Sequence, residues 1–266
     1  MDLSACSRNE LFKKVCRLAG NAIKEYGLIR EGDRILAAVS GGKDSLVMLL
    51  VLRHFQKIAP VKFHLEAATF DPGFPGFASG DIAAFCEGLR IRHHCFPFDM
   101  KTLLEIKGMQ SNPCMLCSRM RRGCLYSLAK EQNFNKLALG QHLDDCAVSF
   151  LMSLCRGAGL STMGPNVAQK QGNLRVIRPL ILTPEKLIRE LAQDLDLPLC
   201  GTCLYKEKVD LGDRKYFADL LQDLSGRIPD LLSNMKCSLG NIQEKHLLDK
   251  RFLSFDDGME AAEEEI

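Results

Sequence analysis

Apolar residues three or four apart, at Leu11, Val15, Leu18, Ala22 and Tyr26, predict an amphipathic first helix over Arg8 to Tyr26, punctuated by Gly27 and Gly32. The period then changes. A short apolar run from Arg34 to Val39 predicts a buried strand, followed by a tight glycine turn, a helix from Ser45 to about Gln56 and a second strand over Lys62 to Phe70. Two strands separated by a helix form a βαβ unit, which requires parallel pairing. Beyond the turn-rich stretch Asp71 to Gly80, a helix is expected near Asp81 to Gly88 and a third strand over Ile91 to Phe96. Pro97 to Pro113 reads as a loop and about Met115 to Glu131 as a helix. Strand Lys136 to Leu139 and helix His142 to Cys155 repeat the βα order, Arg175 to Ile177 adds another strand, and after Pro184 the pattern is wholly helical.

Such alternation implies an α/β fold: a doubly wound, mostly parallel Rossmann-like sheet with a helical C-terminal extension, its ligand crevice at the carboxyl ends of the strands. The expected division is an N-terminal helix over 1–30, a nucleotide-binding α/β domain over 31–182, a helical region over 183–255 and a disordered acidic tail over 256–266.

Composition narrows the class. With 266 residues, 46% of them apolar, the chain can bury a full core, which excludes a disordered or fibrous protein. The longest aliphatic run, Leu46 to Leu52, is far short of the roughly 20 residues a membrane-spanning helix needs. The N-terminus, MDLSACSRNELFKK, lacks the apolar core of a secretory signal, so a cytoplasmic location and no membrane partner are expected. In that compartment twelve cysteines point to metal ligation or thiol chemistry more than to disulfides. The formal charge of +2 conceals an asymmetry, because the tail from Asp256 holds six acids and no base and leaves +8 on residues 1–255. That surplus suits an anionic partner.

Between the first strand and its helix stand Ser40, Gly41, Gly42, Lys43, Asp44 and Ser45. Consecutive glycines let successive N–H groups point inward, and the helix that follows adds its positive end, so the turn can cradle a phosphate or pyrophosphate. It fits neither GxxxxGK[ST] nor GxGxxG. The bland alternative is an ordinary helix cap. SGGKDS placed after a strand resembles the pyrophosphate loop of the ATP-pyrophosphatase (PP-loop) superfamily. The resemblance implies that the loop binds ATP phosphates and that Asp44 assists Mg²⁺ or catalysis.

Two CxxC pairs, Cys114/Cys117 and Cys200/Cys203, are compatible with a structural zinc site, an iron-sulfur cluster or a redox pair working through persulfide. Beside the first pair, Arg119, Arg121 and Arg122 follow with no acidic residue before Glu131, a patch suited to phosphate-backbone contact or simply to a solvated helix face.

CxxCSRxRRGxLY, then LALGQHLDD (Leu137 to Asp145), RVIRPL (Arg175 to Leu180) and a closing CxxC resemble, in order from about Leu11 to Phe255, the tRNA 2-thiocytidine synthetases. PGFP, Pro72 to Pro75, is similar to that family's loop. The resemblance implies ATP-dependent replacement of the C2 oxygen of an anticodon-loop cytidine by sulfur. It implies a [4Fe-4S] cluster with ligands at Cys114, Cys117 and Cys203, with Cys200 matching a cysteine not assigned as a ligand. It also implies roles for His142, Asp144 and Asp145, which fit GHHxDD, although Gln141 replaces the first histidine. Arg119, Arg121 and Arg122 become candidate tRNA contacts, and the implied partners are tRNA and a sulfur donor, either a cysteine desulfurase or sulfide. A homodimer stays open. The other eight cysteines (Cys6, Cys16, Cys86, Cys95, Cys124, Cys146, Cys155 and Cys237) read as buried or incidental thiols. A cluster-free persulfide enzyme, or a nucleotide-binding module with structural zinc, are the rival readings.

Overall fold

Strand β1, Arg34–Ala38, buries Ile35, Leu36 and Ala37 in succession, as a strand must when both faces of a parallel sheet are covered. The computed structural model describes residues 6–109, 113–169, 172–200 and 212–252. By Cα proximity the chain falls into two units, Met1–Asp223 and Leu224–Ile266. The expected acidic tail lies outside the described residues.

In the first unit, α1 (Glu10–Glu25) is capped by Asn9, whose side chain accepts from Phe12 N. After β1 come α2 (Lys43–Ile58), β2 (His64–Asp71), α3 (Ser79–Gly88) and β3 (His93–Pro97). The chain continues through α4 (Met100–Ile106), α5 (Pro113–Glu131), β4 (Lys136–Ala138), α6 (Leu143–Cys155), β5 (Asn166–Ala168), β6 (Arg175–Ile177) and α7 (Glu185–Asp194). Helix α8 (Asp213–Arg227) runs across the division. The second unit carries α9 (Leu231–Leu239) and two 3₁₀ turns, Glu244–His246 and Lys250–Phe252, so the elements described after Pro184 are all helical, as the pattern predicts.

The sheet order is β3-β2-β1-β4-β6-β5, parallel throughout except for β5, which pairs antiparallel with β6. Strand β1 has β2 on one side and β4 on the other, so the order reverses at β1/β4 and the strands' carboxyl ends open a crevice there. Helix α2 buries eight consecutive residues, Ser45 to Leu52, because it packs against β2 as well as α1 and α7. Enclosure on all sides explains its unbroken apolar run.

Two elements depart from the expected pattern. The presumed loop between Pro97 and Pro113 contains α4, seven residues long and capped by Asp99, whose carboxylate accepts from Thr102 N at 3.0 Å. Its length gives barely two turns of periodicity between Pro97 and Gly108, too little to register in a sequence window. Strand β5 is three residues on an exposed edge and has no apolar alternation to betray it.

Candidate active site

The loop from Ser40 to Ser45 closes on itself. Ser45 Oγ accepts from Ser40 N at 3.1 Å and donates to Gly42 O at 2.9 Å. Gly41 sits at φ +78°, in the region that glycine alone enters freely. A Cβ there would lie 2.5 Å from Cys200 Cβ, so the residue is glycine for space as well as for torsion. Gly42 is the N-cap of α2 and supplies no side-chain hydrogen bond to the first turn; Ser45 N donates to Gly42 O at 3.1 Å, which leaves the N–H groups of Lys43 and Asp44 available to an anion. Gly140 serves the same approach from β4, since a Cβ on it would come within 2.9 Å of the Asp44 carbonyl and Ser45 N.

The charged side chains around the loop form one network. Lys43 Nζ lies 2.9 Å from Glu185 Oε1 and 3.2 Å from Asp44 Oδ1. Burial acts to lower the Lys43 pKa, but Glu185 and Asp44 outweigh it and hold it above its ordinary value. Asp44 shifts upward too: desolvation dominates over the pull of Lys43 and His142. Its Oδ1 is buried and makes no hydrogen bond. His142, only 6% exposed, is the N-cap of α6 and forms a reciprocal capping box with Asp145. Its Nε2 is 3.8 Å from Asp44 Oδ1 and 3.4 Å from Asp145 Oδ2. Burial would lower its pKa, yet Asp144, Asp145 and Asp44 together raise it. Asp144 Oδ2 accepts from Glu185 N at 2.7 Å, and Asp145 Oδ1 pairs with Arg214 at 2.5 Å. Glu185 and Arg214 carry no sequence signal for these roles, being 41 and 69 positions from their partners.

A cavity of about 590 Å³ opens between this loop and α5. The loop contributes Ser40, Gly42, Asp44 and Ser45, and α5 contributes Cys117, Arg121 and Arg122. Positions 117, 118, 121, 122, 125 and 126 all line it, one face of a helix read at its own period. Arg119 is about 200° around the helix from Cys117, is exposed and takes no part in the lining. Cys114, one turn before Cys117, is exposed and Cys117 half-buried. Phe70, Phe74 and Tyr126 give the cavity an aromatic wall that no motif predicted.

Cys200 also lines the cavity, but its position is that of a packed thiol. Its N donates to Gly41 O at 3.0 Å, its Sγ donates to Ala78 O at 3.1 Å, and burial reinforced by Asp81 pushes its pKa up. Cys203 lies outside the described residues. Among the described residues no three His, Cys, Asp or Glu side chains come together to hold a metal ion. Of the other thiols, Cys6, Cys16, Cys86 and Cys146 are buried, with Cys16 and Cys86 pushed up to about 12 by desolvation, whereas Cys95, Cys155 and Cys237 are exposed. No described helix is long and apolar enough to cross a membrane.

A family model described as a PP-loop domain matches residues 11–199. The tRNA-cytidine(32) 2-sulfurtransferase of Geobacter sulfurreducens is 38% identical over 243 residues, covering 91% of this chain and 94% of that protein. Its namesake in Pseudomonas syringae is 34% identical over 258 residues, covering 96% and 93%. Among solved structures, the U34-tRNA thiolase NcsA from Methanococcus maripaludis with its [4Fe-4S] cluster has the same fold, with a TM-score of 0.66 at 24% identity over 88% of this chain and 80% of that one. With coverage this nearly complete on both sides, the likeness extends past the nucleotide-binding core, and the chain belongs to the PP-loop family and, within it, to the tRNA-cytidine 2-sulfurtransferases.

Proposed function

We propose that the chain thiolates tRNA: it adenylates the C2 oxygen of an anticodon-loop cytidine with ATP and exchanges that oxygen for sulfur, giving 2-thiocytidine. One observation carries the reading. The loop built for phosphates and the Cys117-and-arginine face of α5 line the same cavity, which supports a reading in which an activated base and a sulfur source meet there.

The chemistry needs both. The C2 oxygen of cytosine is a poor leaving group until it attacks the α-phosphate of ATP and pyrophosphate departs; the carbon then accepts sulfur as AMP leaves. Ser40, Gly41, Gly42 and Ser45 hold the phosphates through backbone N–H and hydroxyl groups, and Lys43 exchanges Glu185 for phosphate oxygen. Asp44 Oδ1, buried and without a hydrogen bond, is the acceptor a Mg²⁺ ion on the phosphates would satisfy. His142 and Asp145 brace Asp44 and the start of α6. Cys114 and Cys117, one turn apart on α5, would with Cys203 hold a [4Fe-4S] cluster, and such a cluster on three protein thiolates would supply one iron open to a sulfide ligand. A similarly folded protein is a tRNA thiolase with such a cluster. The protonated, tucked Cys200 packs the loop and stands outside the ligand set. Arg121 and Arg122 grip RNA phosphates at the cavity mouth while Arg119 meets the backbone outside it, and the target base is unstacked to enter.

The test is anaerobic reconstitution with a cytidine-containing anticodon-loop tRNA and ATP. The reading expects RNA-dependent pyrophosphate release, 2-thiocytidine, and about four irons per chain, retained in Cys200→Ala and lost in Cys203→Ala. Replacing Arg121 and Arg122 by alanine should leave ATP binding intact and flatten the salt dependence of RNA binding by roughly one unit per phosphate contact removed. Thiolation without iron would favour a persulfide enzyme. Stoichiometric zinc with no pyrophosphate release would sink the catalytic reading.

A further inference from the structure

Gln141 follows the glycine that packs on the Asp44–Ser45 backbone, and its side chain lines the cavity. Arg178, just past β6, donates from Nε to Gln141 Oε1 at 2.5 Å and from Nη1 to Gly164 O at 2.5 Å. Arg178 N also donates to Pro165 O at 3.0 Å, so the guanidinium is anchored on the β5 side of the crevice. An arginine has only donors, so the atom facing it must be the amide oxygen. That contact removes the usual ambiguity of an amide side chain and turns Nε2 away from Arg178. Nε2 makes no hydrogen bond to any described residue and is not among the buried atoms lacking a partner, so it remains accessible.

Resting on the ATP-dependent reading above, we propose that Gln141 contacts the nucleotide. Its Nε2 donates to a phosphate oxygen of ATP held by the Ser40–Ser45 loop, and Arg178 is the positioning residue that fixes which end of the amide is offered. The wall on which Gln141 sits selects ATP over RNA phosphate. It is continuous through Gly140 with the loop, whereas the arginines that face RNA come from α5. One planar group thereby serves two partners, taking the arginine on its oxygen and the ligand on its nitrogen.

The decisive variant is Gln141→Glu in the full chain. It keeps the size of the side chain and strengthens the contact to Arg178, but offers phosphate an anionic acceptor in place of a donor. Binding of Mg-ATP without RNA, binding of the tRNA alone and thermal melting are measured together. The proposal expects melting at or above the wild-type temperature, unchanged tRNA affinity and Mg-ATP affinity weaker by about ten- to a hundredfold. Gln141→Met, which removes donor and acceptor alike, should weaken Mg-ATP by about tenfold and decides the matter if the glutamate variant does not fold. Wild-type Mg-ATP affinity in the folded variants would show that the amide only braces Arg178 and would overturn the proposal, as would a loss confined to tRNA. Wild-type protein that fails to bind Mg-ATP overturns the ATP reading itself, an outcome distinct from the failure of Gln141 alone.

Discussion

Two carboxylates, one in the sheet and one in the first turn of α2, sit beside histidines and cations and are tuned in opposite directions. Glu66, in the middle of β2 and 5% exposed, receives His64 Nε2 on one oxygen at 2.7 Å and His94 Nε2 on the other at 2.5 Å. Burial works to raise its pKa, but the two histidines outweigh it and hold the carboxyl below its ordinary value. Asp44 has Lys43 and His142 close by, yet burial prevails, its pKa rises and one oxygen has no hydrogen bond. The difference is one of completion. Each oxygen of Glu66 takes a hydrogen bond from within the protein and the residue belongs to the architecture, whereas Asp44 Oδ1 has an ion pair with Lys43 but no hydrogen bond, which leaves it able to take a ligand. A site that binds charge must be left electrostatically unfinished, and the unfinished group is recognised by geometry before any family is named.

Breaking each carboxylate should separate the two roles. Asp44→Asn has the largest expected effect: thiolation and pyrophosphate release fall by about a hundredfold or more, the several kcal/mol a metal-facing charge supplies. Thermal melting near neutral pH stays level or rises, because a neutral amide relieves a charge that burial disfavours. A cooperative loss of folding instead would place Asp44 with Glu66. Glu66→Gln should do the reverse. Replacing a charged acceptor by an amide that meets two histidines less well costs about 2 kcal/mol in denaturant unfolding, while turnover per folded molecule is preserved. Because the pKa of Glu66 is depressed, its contribution is complete above the ordinary carboxyl value of 4.5 and is lost as pH falls through the folded-state value.

Legibility in the sequence follows the same line. Strands β1 to β4 and β6, α2 and the phosphate loop are local, carried by apolar period and by glycines whose torsions the loop demands, so their order along the chain predicts a crevice at the carboxyl ends of the strands; its place at β1/β4 comes from the sheet order. The charge run of α5 was legible only as one patch of Arg119, Arg121 and Arg122; the fold divides it, with Arg121 and Arg122 lining the cavity beside Cys117 and Arg119 exposed away from it. The partnerships across the fold were not legible. Lys43 with Glu185, Asp145 with Arg214 and Gln141 with Arg178 join residues whose proximity is created by the sheet order, and no window of sequence contains both members. Helix α4 failed for a different reason, being too short to establish a period between its flanking breakers.

The smallest expected effect tests the histidine that joins the two kinds of site. His142 is a cap, and so architectural, but its Nε2 faces Asp44. Its folded-state pKa lies above the ordinary 6.5, since Asp144, Asp145 and Asp44 overcome the burial that would depress it. The protonated ring therefore stabilises the fold. That contribution is complete below the unfolded value and is lost as pH rises through the folded one. Asparagine keeps a side-chain cap for α6 without a titrating charge. The melting temperature of His142→Asn should accordingly fall furthest below wild type at mildly acid pH and converge toward it in alkaline buffer. A gap that widens with pH would mean that burial outweighs the carboxylates and holds the imidazole neutral, and Asp44 would then face Lys43 as a cation without help from His142.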